Sequence, residues 1–290
     1  MSIINTRPSS VPKSAIALLL SFVLFFVLAS CLCVLCVSLS DGYAGIALSM
    51  AVSSIFCFAV PGYISRRFAM GRFPERLGLS RLNVPVVATV VILSLIFQPF
   101  AEWASYANYE FCRRTGLLAF DSLAGANNAM LAHLCVFDTP AHKVVPYIVI
   151  ALLPAFSEEL FFRGALLPLL RRVTGSWHWA VFISAAIFSA IHLELTGFLP
   201  RLIIGIILGY VFVITKSLWA STLIHFINNA LVVFVLSRAD DVMKVMTAVP
   251  EEPRLLHTLC SLALVLFELN YLKGLYDKKS SYITISAKKS

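Results

Sequence analysis

The chain has 290 residues, 59% of them hydrophobic and 13% charged, with a mean hydropathy of +0.87. Soluble globular chains are about 45–50% apolar and about 25% charged, so the composition excludes a water-soluble domain and requires a polytopic membrane protein. The net charge of +8 comes from short Lys/Arg clusters between apolar runs. That pattern excludes a nucleic-acid stripe and reads instead as a topology signal.

A membrane-spanning helix needs about 20 apolar residues, and eight runs qualify: 14–38, 44–64, 83–101, 144–162, 178–195, 198–215, 218–237 and 254–272. The expected fold is therefore all-α, a bundle of about eight spans. In the first run, Leu28-Ala29-Ser30-Cys31 looks like a lipoprotein signal-peptidase site. The sequence nevertheless stays apolar through Leu39, whereas a signal peptide turns polar after a shorter core, so a retained helix is expected.

Arg7 and Lys13 precede the first span, and Arg66, Arg67, Arg72, Arg76 and Arg81 follow the second. Arg171 and Arg172 follow the fourth, Lys216 the sixth, and Lys273, Lys278, Lys279, Lys288 and Lys289 the eighth. With eight spans all of these share one side, which predicts two cytoplasmic termini. The opposite side receives a Ser40–Gly45 turn, a long 102–143 loop, a Thr196-Gly197 turn and an acidic 239–252 stretch.

Trp103, Tyr106, Tyr109 and Phe111 suit an interfacial helix within the long loop. The Lys-rich tail beyond Tyr276 reads as a disordered membrane-surface segment. Cys112 and Cys135 share the 102–143 loop and could pair, while most of the other five Cys lie in apolar runs and read as small hydrophobes. No pair of C-x2-C motifs occurs, so a structural zinc site is not expected.

The chain divides into N-terminal spans (1–143), a core (144–237) and a last span with a basic tail (238–290). Polar chemistry concentrates in the core. Glu158-Glu159-Leu160-Phe161-Phe162-Arg163, Phe188-Ser189-Ala190-Ile191-His192 and His225-Phe226-Ile227-Asn228-Asn229 interrupt apolar helices. A charged side chain at the centre of a membrane helix costs roughly 2.5–3.5 kcal/mol on insertion scales, and such clusters mark functional sites.

Helical i, i+4 spacing stacks Glu159 on Arg163, which leaves Glu158 free to take up a proton as a general base on water. Phe188 shares a face with His192 and can shield it. His225 and Asn229 also stand at i, i+4 and can offer N–H donors to a developing oxyanion. Each motif alone has an ordinary structural explanation, as an edge ion pair or as hydrogen-bonding glue between helices. The combination of a diacid and two His on separate spans does not.

Glu-Glu-x3-Arg, Phe-x3-His and His-x3-Asn, in this order, resemble the CPBP intramembrane proteases, a family that includes type II CAAX prenyl endopeptidases and bacterial proteins tied to bacteriocin maturation or immunity. The resemblance covers about residues 144–237. It implies hydrolysis of a peptide bond in a peptide or membrane-protein substrate, within or at the edge of the bilayer. Glu158 and His192 would activate water, His225 and Asn229 would hold the oxyanion, and Glu159, Arg163 and Phe188 would support them.

A metal-free mechanism is preferred, with Zn2+ held by Glu158 or Glu159, His192 and His225 as the alternative. The rival functions are a silent scaffold or immunity protein and a proton-coupled transporter. Transporters usually carry repeats in both halves, whereas this chain shows its polar residues in one. The compact loops suggest a bacterial inner membrane and argue against a prenylated substrate.

The predicted spans carry one internal conflict. Counted at about 1.5 Å per residue, Glu158 and His225 fall in the cytoplasmic third of their spans and His192 nearer the far side. A shared site requires the fifth span to start deeper or to be tilted or broken.

Overall fold

The computed structural model describes residues 11–40, 42–66 and 82–287. Of the basic residues used for orientation, Arg7, Arg67, Arg72, Arg76, Arg81, Lys288 and Lys289 lie outside them. The described residues form helices without strands: α1 (Val11–Leu39), α2 (Gly42–Ile64), α3 (Val84–Thr115), α4 (Ser122–Leu134), α5 (Pro140–Thr174), α6 (Trp177–Ala190), α7 (Phe198–Thr215), α8 (Leu218–Leu236), α9 (Val242–Met246) and α10 (Leu255–Ala287).

Seven of these are long and apolar enough to cross a membrane, and the chain is a polytopic helical membrane protein. The fifth expected span is the exception in length, because α6 has only 14 residues. At about 1.5 Å per residue it extends about 21 Å, less than the about 30 Å of a hydrocarbon core.

α5 is central and touches α1, α2, α6 and α8, while α3 backs α7, α8 and α10. Phe161 and Phe162 of α5, Phe188 of α6, Leu208 of α7 and Ile224 of α8 meet in one apolar cluster. α2 approaches α5 closely at Gly62, where a Cβ would stand 2.9 Å from Phe161 Cα. α6 and α7 meet through Gly205 against Ala185 and Gly209 against Val181. Such small-residue seams let membrane helices reach van der Waals contact.

Proline shapes α2 and α5. Wide, π-helical turns at Ser54–Ala59, Tyr147–Leu152 and Phe162–Leu166 each end two residues before a proline, Pro61, Pro154 and Pro168. Proline lacks an N–H and clashes with the carbonyl four residues back. A wider turn relieves that clash without ending the helix. Single π turns recur at functional sites, and two of these flank Leu153–Phe161, which carries Glu158 and Glu159.

Three expectations change. The 102–143 region is largely helical, because α3 continues to Thr115. Arg113 and Arg114 both bond Glu110 across its last turns, and Gly116 ends it at φ +76°.

Cys112 therefore lies buried on α3 facing Leu195 O, while Cys135 closes α4, and both thiols are free rather than paired. The tail beyond Tyr276 is a continuation of α10 to Ala287. No Gly or Pro interrupts it after Gly274.

Candidate active site

α5 is 35 residues long, so Glu158 stands near its middle rather than in a cytoplasmic third. His225 is likewise near the middle of α8. α6 ends at Ala190, and the chain turns through 191–197 before α7 begins. The short α6 therefore carries His192 at its end, on the turn, which removes the conflict in depth.

Glu159 and Arg163 are 0% and 1% exposed, and Arg163 Nη1 donates to Glu159 Oε1 at 2.5 Å. Arg163 Nη2 donates to Gly205 O at 2.9 Å, which fastens α5 to α7. The guanidinium also lies 5.3 Å from the ring centre of Phe188. A buried guanidinium needs this fixed set of acceptors, since an unpaired one would cost several kcal/mol.

His225 Nδ1 is 3.2 Å from Glu159 Oε1, and its Nε2 is 3.8 Å from Glu158 Oε2. The carboxylate of Glu159 accepts, so Nδ1 carries a proton and Nε2 is turned toward Glu158. Glu158 Oε2 is buried and has no hydrogen-bond partner. The set contains two carboxylates, one guanidinium and one imidazole, and its charge balances when His225 is protonated.

His192 is joined to this set through Phe188. The Phe188 ring meets His192 at 5.2 Å and His225 at 5.7 Å between centres, in both cases edge-on. His192 Nδ1 lies 2.8 Å from Phe188 O. A carbonyl only accepts, so Nδ1 carries the proton and Nε2 offers a lone pair.

Asn229 Nδ2 donates to Ile150 O at 3.3 Å. One amide N–H is used there and the second is left for another acceptor. The i, i+4 stacking of Glu159 on Arg163 and of Phe188 on His192 thus follows the spacing. The Glu159–His225 bond and the Asn229–Ile150 bond do not arise from local spacing.

Among the described residues no three His, Cys, Asp or Glu side chains converge to share an ion. The zinc set of Glu158 or Glu159 with His192 and His225 is therefore not assembled in this geometry, and no step below runs through a metal.

A cavity of about 720 Å³ opens between α3, α7, α8 and the start of α10, with Gln98, Glu102, Arg201, Asn228, Arg254 and His257 in its wall. Arg201 pairs with Glu194 at 3.1 Å. Sequence spacing did not single out Arg201, Asn108 or Asp121. Asn108 and Asp121 bind the 191–197 turn from 74 to 91 residues away. Their only sequence signal is a polar side chain beside apolar helices.

No curated protein and no solved structure matches the chain. Residues 140–231 match the family model described as type II CAAX prenyl endopeptidase Rce1-like. That stretch begins with α5, includes α6 and α7, and ends within α8, so it carries all three motifs. Over this stretch the chain is similar to the type II CAAX prenyl endopeptidase Rce1-like family.

Proposed function

We propose that the chain is a multi-pass endopeptidase that hydrolyses a peptide bond in a membrane-associated peptide or protein, with Glu158 as general base. The observation that carries this reading is the Glu158 carboxylate oxygen, buried, without a hydrogen-bond partner among the described residues and 3.8 Å from His225 Nε2. Glu159 also keeps a buried oxygen without such a partner, but its other oxygen is bonded by Arg163 and His225, which leaves Glu158 as the acid available to a water.

In this reading Glu158 takes a proton from water, and His192 Nε2 accepts from the same water to orient it. The oxygen attacks the carbonyl carbon. Negative charge then forms on the carbonyl oxygen and receives N–H bonds from protonated His225 and from Asn229. Such donors act on charge that exists only in the transition state. Glu158 returns its proton to the amide nitrogen as the C–N bond breaks. Glu159, tied to Arg163, holds the His225 ring in its orientation. We infer the same orientation as from the basic clusters, with both termini cytoplasmic, in a bacterial inner membrane.

The test is Glu158→Gln in full-length protein reconstituted in liposomes, assayed with an internally quenched membrane peptide chosen from a library cleaved by the wild type. Glutamine keeps the shape and removes the base, so cleavage is lost while the folded amount stays near wild type. Full activity in this variant would end the assignment.

A further inference from the structure

We propose that Asn108 and Asp121 are positioning residues that lock the 191–197 turn and thereby set the imidazole of His192. The inference rests on the role given to His192 above. It assigns that role a support which lies outside the family segment, on α3 and on the link before α4.

Irregular backbone among membrane helices is tolerated only where its N–H and C=O groups find partners in the protein. His192 N and Leu193 N bond back to Ser189 O and Ala190 O, while Leu195 and Thr196 draw partners from outside the turn. The carboxylate of Asp121 accepts from Leu195 N at 3.2 Å, from Thr196 N at 3.0 Å and from Thr196 Oγ1 at 2.6 Å. Asn108 is buried, and its amide donates to Leu195 O at 2.7 Å and Thr196 O at 2.6 Å while accepting from Leu199 N at 3.3 Å. Two side chains thereby satisfy two backbone N–H groups and two carbonyls of the turn, and a third N–H at the start of α7.

An independent observation points the same way. Leu193, directly after His192, has φ +53°. That left-handed conformation is strained for a residue with a Cβ. Strain of this kind persists only where surrounding contacts over-determine the backbone, and it gathers at functional sites.

Among the described residues the His192 imidazole is hydrogen-bonded only to Phe188 O, one turn back. The direction of Nε2 therefore follows the backbone between 188 and 193. The downstream end of that backbone is fixed by the clamp on Leu195 and Thr196. Arg201 closes the loop from the α7 side, by donating Nη2 to Glu194 O at 2.8 Å.

The experiment uses full-length protein in liposomes and four variants: Asp121→Asn, Asn108→Ala, Thr196→Val and Thr196→Ser. Two properties are read beside the folded amount. One is the rate of His192 modification by diethyl pyrocarbonate, followed by mass spectrometry, which needs no substrate. The other is kcat and KM for the quenched membrane peptide.

Release of the turn is expected to raise the modification rate at least about threefold. It should lower kcat by up to about 10²-fold, the cost of a misplacement near 1 Å, with KM unchanged. Thr196→Ser, which retains the hydroxyl, recovers most of what Thr196→Val loses. If Asp121→Asn does not fold, the Thr196 pair decides.

Folded variants with wild-type His192 reactivity overturn the proposal, whatever their activity. A fall in kcat that follows only the folded amount also overturns it. Failure of the protease reading is visible separately, as a fully active Glu158→Gln protein. In that case His192 reactivity alone still decides the clamp.

Discussion

His225 reaches from α8 to Glu159 on α5, with its Nδ1 3.2 Å from the Oε1 that also receives Arg163. This bond turns an ion pair within one helix into a brace between two, and it leaves His225 Nε2 directed at Glu158. The two adjacent acids thereby differ in kind. Glu159 Oε1 is shared by two donors, and although each acid keeps a second, unpartnered buried oxygen, Glu158 Oε2 is the one that faces His225 Nε2.

Glu159→Gln should therefore lower stability as well as cleavage. It leaves Arg163 buried without a counter-charge, and breaking such a pair costs about 3–5 kcal/mol. Pairing it with Arg163→Met removes the orphaned charge and should recover most of the folded amount but none of the activity. Thermal unfolding in detergent beside the cleavage assay checks both. An Arg163→Met rescue of activity would show that Glu159 does not orient His225.

Asn229→Ala should lower kcat by about 10²–10³ with little change in KM, as loss of an oxyanion donor does. In the metal-free mechanism a chelator leaves the wild type active, and purified protein carries no stoichiometric metal. Elemental analysis of wild type beside His225→Ala tests this. One zinc per chain, lost in the variant, would move the reaction to a metal-bound water.

Asp121 gives the turn a pH dependence of known sign. Burial works against its ionisation, but the hydroxyl and amide of Thr196, the amide of Leu195 and the charge of Arg201 hold its carboxyl below the ordinary value. A lowered folded value means the stabilisation is complete above the ordinary Asp value of about 3.9. It is lost only as pH falls through the folded value. Amide exchange of residues 191–199, corrected for intrinsic rates, should stay protected at about pH 5 and rise only below about pH 3.9. Loss of protection already at about pH 5 would contradict it.

Orientation is checked by reporter fusions. Those after residues 75, 172 and 280 should report cytoplasm, and those near 125 and 245 the opposite side, if Lys/Arg bias sets topology. A cytoplasmic signal at residue 125 would reverse the side to which the cavity beside Asn228 opens.

What the sequence determined by itself was what depends on near neighbours. Apolar run length marks the membrane helices, because a span must satisfy its backbone internally. The i, i+4 rule makes Glu159 and Arg163 partners and sets Phe188 beside His192. Tertiary structure decided what depends on distant approach.

His225 and Glu159 are 66 residues apart, and no periodicity pairs them. The shortness of α6 could not be seen, since Ile191 and Leu193 continue its apolar run while the chain has already turned. Asp121 and Asn108 read as loop polarity until Leu195 and Thr196 come within hydrogen-bond reach. Hydrophobic pattern reports only that a residue is removed from water. Which buried polar groups find one another is settled when the helices meet, because an unpaired one would be too costly to keep.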